Sequence, residues 1–262
     1  MAPVITSLSC GPQATNQGNA GQTLTITGTG LSGSTKVRFG ASGPQVTPSA
    51  TTATSVTCTV PAGSGVVSIA VLNGGVWSNS LTFYYIPTPS LCGLNPADGP
   101  ATDPPAITLM GNNLLTANQA TFDAAPVSAS STTDNAAQAT PTSITEVGAP
   151  PYFQSVTVAL RTAGGTATLN DAYIAYDAPT ITTVDPSSGD AGTEVLITGT
   201  GYVGPFVEVT FGGIQAAATA ISETQITATA PSDPTLTGSQ DVAVTTAGGT
   251  DTLTGGFAYP TP

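Results

Sequence analysis

Side chains able to do chemistry are scarce in this chain, and the missing ones matter first. There is no histidine, which removes Ser-His-Asp and Cys-His nucleophile arrangements and histidine-based zinc sites. The three cysteines, Cys10, Cys58 and Cys92, have no C-x-x-C spacing. Lys36 is the single lysine, so Schiff-base or Ser-Lys chemistry would fall on one residue of a sheet strand. No Walker loop or GxGxxG lies between a strand and a helix. The expectation is therefore no enzyme, no catalytic or metal residue and no cofactor.

Carboxylates are the remaining candidates. Asp185, Asp190 and Glu194 fall in one turn, and Asp98 and Asp103 in a matching turn. Glycosidase chemistry needs two carboxyl groups facing each other across a cleft, and a weak calcium site needs loop carboxylates and carbonyls. Asp is also a common turn residue in its own right, and the adopted reading is solvated turn acids. Cys58 shares the parity of Val56 and Val60 and reads as a buried core thiol. Cys10 follows the first strand, and Cys92 lies just past the first linker. A Cys10–Cys92 bridge is a candidate inter-domain disulfide; the alternative is three free thiols. Three aromatics are candidate partner contacts. Trp77 shares parity with Leu81 and Phe83, which favours the core over a sugar-stacking platform. Tyr152 and Phe153 follow Pro150-Pro151 and are the best candidates for an exposed apolar contact.

The elements that would position these residues repeat three times. Leu24–Gly30 (LTITGTG), Ile107–Asn113 (ITLMGNN) and Val195–Gly201 (VLITGTG) alternate with period 2 and stop on Gly or Asn, as a half-buried strand does. Gly199 and Gly201 are expected to supply the positive φ of a sheet corner. Each is followed by a strand with a central aromatic, then a Gly-Gly hairpin, then a closing aromatic strand: Phe83–Tyr85, Ile174–Tyr176 and Phe257–Tyr259. Tyr85, Tyr176 and Tyr259 read as core closures. The opening prolines, Pro3, Pro89 and Pro179, recur at a near-constant spacing, which marks tandem units.

These motifs resemble the IPT/TIG family of immunoglobulin-like domains. The order is Pro-x-Ile, D/N-P-x-x-G, V-x-I-T-G-x-G, V-x-F-G-G, T-x-I-x-A-x-x-P, G-G-T and F-x-Y. The third unit matches nearly end to end, and the first carries Cys10 where the third has Pro186. The second diverges: Asn113 replaces a glycine, Asp123 follows Phe122, and residues 128–151 read as a long loop. The resemblance implies an all-β chain of three tandem immunoglobulin-like sandwiches, 1–86, 87–177 and 178–262. Proline-stiffened linkers would make it a semi-rigid rod.

Charge narrows the partners. The net charge is −12. Residues 1–86 hold Lys36 and Arg38 and no acid, residues 87–177 hold seven acids and Arg161, and residues 178–262 hold eight acids and no base. Such a surface repels phosphate, so nucleic acid is not an expected partner. No apolar run is long enough to span a bilayer. Met1-Ala2-Pro3 leads into Val4-Ile5 without a basic region, so no signal peptide is visible. With the resemblance, this implies a structural, extracellular or virion-associated protein. The leading expectation is a decoration, fibre or tail-associated subunit of a phage or phage-like particle. It would dock through the first domain onto other subunits, with homo-oligomers a further possibility. The alternative is a bacterial cell-surface adhesion or polysaccharide-binding module with a surface glycan as partner.

Overall fold

The structure is a computed structural model that describes residues 2–11, 15–233 and 235–261. Pro12, which ends the first opening motif, lies outside them. Every regular element among the described residues is a strand. The low content of long helix formers and the abundance of Thr, Val, Gly and Pro make that outcome the expected one. The chain divides into two compact units, Met1–Ser90 with Asn112–Ala117 and Arg161–Ala167, and Leu91–Gly111 with Asn118–Leu160 and Thr168–Pro262.

The first sandwich is built from β1 (Val4–Cys10), β2 (Gln17–Gly18), β3 (Thr23–Thr29), β4 (Lys36–Phe39), β5 (Gln45–Val46), β6 (Ala50–Thr51), β7 (Ser55–Thr59), β8 (Val66–Asn73), β9 (Val76–Trp77) and β10 (Leu81–Tyr85). One sheet runs β1-β3-β7-β6; the other runs β2-β10-β8-β4-β5, with β9 paired to β8. Alternation along each strand sends one set of side chains inward. Leu24, Ile26, Val56 and Cys58 from one sheet meet Val37, Phe39, Ile69, Val71 and Phe83 from the other in one core. Phe39 and Phe83 pack edge to face, with ring centroids 5.9 Å apart. This is the geometry in which the positive edge of one ring meets the negative face of another.

The middle segment has a different wiring. Its strands are β11 (Ser90–Asn95), β12 (Asp98–Pro100), β13 (Ile107–Asn112), β14 (Gln119–Phe122), β15 (Ala125–Thr133), β16 (Ala136–Ala139), β17 (Phe153–Thr162) and β18 (Gly165–Tyr176). They form one eight-stranded sheet, β11-β13-β16-β15-β14-β17-β18-β12. The edges are consecutive strands, so the sheet curls back toward itself. β15 makes this possible: Gln119–Phe122 pair with its first half and Ala136–Ala139 with its second. The long loop expected over 128–151 is corrected accordingly: residues through Thr133 and residues 136–139 are strand.

The third sandwich repeats the first. It contains β19 (Thr180–Asp185), β20 (Glu194–Thr200), β21 (Val207–Phe211), β22 (Ile214–Gln215), β23 (Ala217–Ser222), β24 (Gln225–Thr229), β25 (Gly238–Thr246) and β26 (Gly249–Tyr259). Its sheets run β19-β20-β24-β23 and β22-β21-β25-β26, around Val195, Ile197, Phe211, Ile226, Val244 and Phe257. Of the two glycines expected to take positive φ, Gly201 does, at 73°. Gly199 does not; a side chain there would collide with the Thr180 carbonyl. Gly28 meets the Val4 carbonyl in the same way. In both places the opening strand bulges beside the glycine, between Ile5 and Ser7 and between Ile181 and Thr183. The glycine is there for close backbone approach rather than for dihedral freedom.

Candidate partner-binding face

Register decides which side of a sheet a residue occupies. In the first sandwich, Ile69 and Val71 of β8 point into the core, so Ser68, Ala70 and Leu72 point out. Lys36 and Trp77 both stand opposite Leu72, and Arg38 stands opposite Ala70. Lys36, Leu72 and Trp77 therefore form one row across the outer face, with Arg38 in the next row. The Arg38 guanidinium lies over the Trp77 ring, 4.5 Å from its centroid, close enough for a cation–π contact. Arg38 Nε is buried and has no hydrogen-bond partner. Residues 1–86 contain no acid to pair with either cation. Trp77 thus departs from the core placement that its parity suggested. Residues 78–80 between β9 and β10 are not strand, and the phase is lost across them. The side chain is half-buried on the outside.

The third sandwich offers the same lattice positions with other residues. Glu208 stands opposite Thr245, Thr245 opposite Thr250, and Thr210 opposite Ala243. Lys36, Leu72, Trp77 and Arg38 of the first sandwich thus correspond to Glu208, Thr245, Thr250 and Thr210. The frame folds with either set, so stability of the frame does not require the Lys-Arg-Trp set.

Tyr152 and Phe153 are separated by their surroundings. Tyr152 is buried at 9% exposure, with φ of 57°; its amide donates to the Ala149 carbonyl at 2.8 Å and its carbonyl accepts from the Asp177 amide at 3.0 Å. That backbone clamp draws it inward, so it is not the exposed contact expected of it. Phe153 is 38% exposed and packs against Tyr176, ring centroids 5.9 Å apart. The same loop is tied down by a buried carboxylate. Asp177 accepts from the amides of Val147 at 2.9 Å and Gly148 at 2.7 Å. Glu146 accepts from the Ala178 amide at 3.2 Å and from the Thr102 hydroxyl at 3.1 Å. Nothing in the sequence pattern marked Asp177 beyond its place in a linker.

The cysteines are free thiols. Cys10 and Cys58 are both buried in the first core, on strands that flank Leu24, and Cys92 is exposed. The candidate Cys10–Cys92 disulfide is corrected: the Cys10 thiol faces the interior of its own sandwich, 3.5 Å from Gln22 Oε1. Burial, with the neighbouring Cys10 adding to it, pushes the Cys58 thiol up to about 12. Asp185, Asp190, Glu194 and Asp103 are exposed, and Asp98 is half-buried in β12. Among the described residues no group of three or more His, Cys, Asp or Glu comes together to hold a metal ion. No helix among them is long and apolar enough to cross a membrane. A cleft of about 500 Å³ on the middle sheet is lined by Pro126, Ser128, Ser130, Gln138, Thr140, Thr142 and their neighbours, without a charged or aromatic side chain.

The IPT/TIG domain pattern matches residues 3–85 and 179–259. The chain belongs to the IPT/TIG domain family. Its IPT/TIG matches coincide with the two sandwiches that share a topology, and the eight-stranded middle segment lies outside them. No curated protein matches the chain. Among solved structures, a protein crystallised with xylogluco-oligosaccharide is 17% identical at a TM-score of 0.39, over 97% of this chain and 59% of its own. The full extracellular region of plexin A4 is 15% identical at 0.36, over 98% of this chain and 34% of its own. The surface glycan-binding protein PbSGBP-B from Prevotella bryantii is 22% identical at 0.30, over 63% of this chain and 41% of its own. The IPT/TIG chain therefore spans less than two thirds of the length of each. At such scores these likenesses carry no argument about its function.

Proposed function

We propose that the chain is a non-enzymatic surface-interaction module that binds carbohydrate on the outer sheet face of its first sandwich, in an extracellular setting. We take it as three modules, 1–86, 87–177 and 178–262. One observation carries the binding reading: Trp77, the only tryptophan, sits outside the core beneath the Arg38 guanidinium. An indole with a guanidinium stacked over it puts an apolar ring and planar hydrogen-bond donors at one place, which suits a sugar with C–H groups on its faces and hydroxyls at its edge. The test is a glycan array probed with the full chain and with Trp77→Ala. Retention on a subset of glycans, lost in the variant with its thermal midpoint unchanged, supports the reading. Equal signals from both proteins remove it.

A second setting draws on the charge distribution. An acid-free first module beside a third module with eight acids suits docking of the first module onto a larger assembly, a phage-like particle among them. Co-sedimentation of the chain with purified particles, lost on charge reversal at Lys36 and Arg38, is the outcome that reading needs.

A further inference from the structure

We infer that the outer face of the first sandwich selects acidic saccharides, those bearing uronate carboxylates, over neutral ones. This deepens the proposed function and rests on it. Two of the chain's three cations, Lys36 and Arg38, lie on one face with its single tryptophan. Neither has an ion-pair partner in residues 1–86, which contain no acid. The guanidinium is also pre-oriented. The indole holds one of its faces at 4.5 Å, and Nε is buried without a partner, so its remaining donors are those at the free end of the fork. A guanidinium fixed this way matches a carboxylate in two parallel hydrogen bonds.

The sister face is an internal control. In the third sandwich the same four positions carry Glu208, Thr210, Thr245 and Thr250, a set with an acid and no cation. A frame repeated twice in one chain has thus been given opposite charge on equivalent faces. A neutral sugar would need the indole alone; it would not need both cations kept free of acids. A second copy of this chain, docking its acidic third module on the face, is the competing occupant.

The experiment is affinity electrophoresis and calorimetry of the full chain with polygalacturonate and with the same polymer after carboxyl reduction. The expected result is binding to the uronate polymer that weakens as salt rises from about 50 mM to about 500 mM. Arg38→Gln should weaken it about tenfold or more, the loss expected for a charge-assisted contact, and Arg38→Lys by less. Both variants should stay folded, Arg38→Gln with a thermal midpoint lowered by no more than a few degrees for the lost stack on Trp77. Equal binding to the two polymers, or full binding by Arg38→Gln, overturns the acidic selectivity and leaves carbohydrate binding standing. Binding to neither polymer, with a blank glycan array, overturns both readings. Concentration-dependent self-association without polymer, abolished by Arg38→Gln, assigns the face to a second copy and overturns the inference.

Discussion

The Tyr259 hydroxyl donates to the Pro231 carbonyl at 3.2 Å, tying the last strand of the third sandwich to the end of β24's chain segment. The first sandwich makes the same tie, from Tyr85 to the Pro61 carbonyl at 3.1 Å. In each, the proline closes the T-x-I-x-A-x-x-P or S-V-T-C-T-V-P strand and has no amide to give, while its carbonyl remains to be satisfied. The tyrosine ring meanwhile packs on a core phenylalanine, Phe257 at 5.0 Å and Phe83 at 5.3 Å. Removing the hydroxyl alone should cost about 1 kcal/mol. Tyr259→Phe and Tyr85→Phe are therefore expected to lower the denaturant midpoint modestly and by similar amounts; urea unfolding followed by circular dichroism checks this.

Gly199 is a stricter position than its neighbour Gly201. With the Thr180 carbonyl against it, Gly199→Ala must push apart two paired strands, and about 1–3 kcal/mol of destabilisation is expected from overpacking of this kind. The Gly199 amide also donates to the Thr224 carbonyl at 2.9 Å, so the strand cannot simply swing away. Thermal unfolding of Gly199→Ala, with Gly28→Ala as the equivalent in the first sandwich, tests the claim. An unchanged midpoint in both would show that the close approach is relieved at no cost.

Asp177 holds the 144–152 loop through two amides. Hydrogen bonds to an ionised acceptor are worth about 1.5–3 kcal/mol each. Asp177→Ala should therefore free the loop: amide exchange at Val147 and Gly148 is expected to accelerate by more than about tenfold. Asp177→Asn, which keeps one acceptor oxygen, should fall between. Hydrogen exchange read by mass spectrometry separates the three.

Alkaline pH should destabilise the chain through buried acids of high pKa. Burial raises Cys58 from 9.0 to about 12. Tyr173 and Tyr202 rise from 10.0 to about 12, through burial first and then the nearby charges of Asp98 and Asp251. The sign follows from linkage: the unfolded chain releases these protons at lower pH than the folded one. The stabilisation is complete below about pH 9 and is lost progressively as pH rises toward about 12. Thermal midpoints measured across that window should fall steadily, and Cys58→Ala should flatten the early part of the decline. A profile that stays flat to about pH 11 contradicts this.

Much of this fold was legible from alternation. Val195 and Ile197, Phe211, and the Phe257–Tyr259 pair all land where period 2 puts them. β15 was not legible, because none of its nine residues is buried and small polar side chains give no alternating apolar signal. Of the candidate contacts, Phe153 is partly exposed and packs on Tyr176. Tyr152 was drawn in by backbone bonds to Ala149 and Asp177 that no residue pattern encodes. For Trp77 the parity of Leu81 and Phe83 does not carry back, because pleating is interrupted at residues 78–80. The Arg38–Trp77 stack joins residues 39 positions apart across β8, and only the register of three strands brings them together.

The shared strand of the middle segment has a mechanical consequence. Because the first half of β15 pairs with β14 and the second half with β16, one continuous backbone carries the eight-stranded sheet from one part to the next. A single protease cut near Ser130 would leave each half on its own partner, Ala125–Ser128 on β14 and Ala129–Thr133 on β16, while ending the covalent link along β15 between those two ladders; a nick in β6 or β23 would touch only an edge strand.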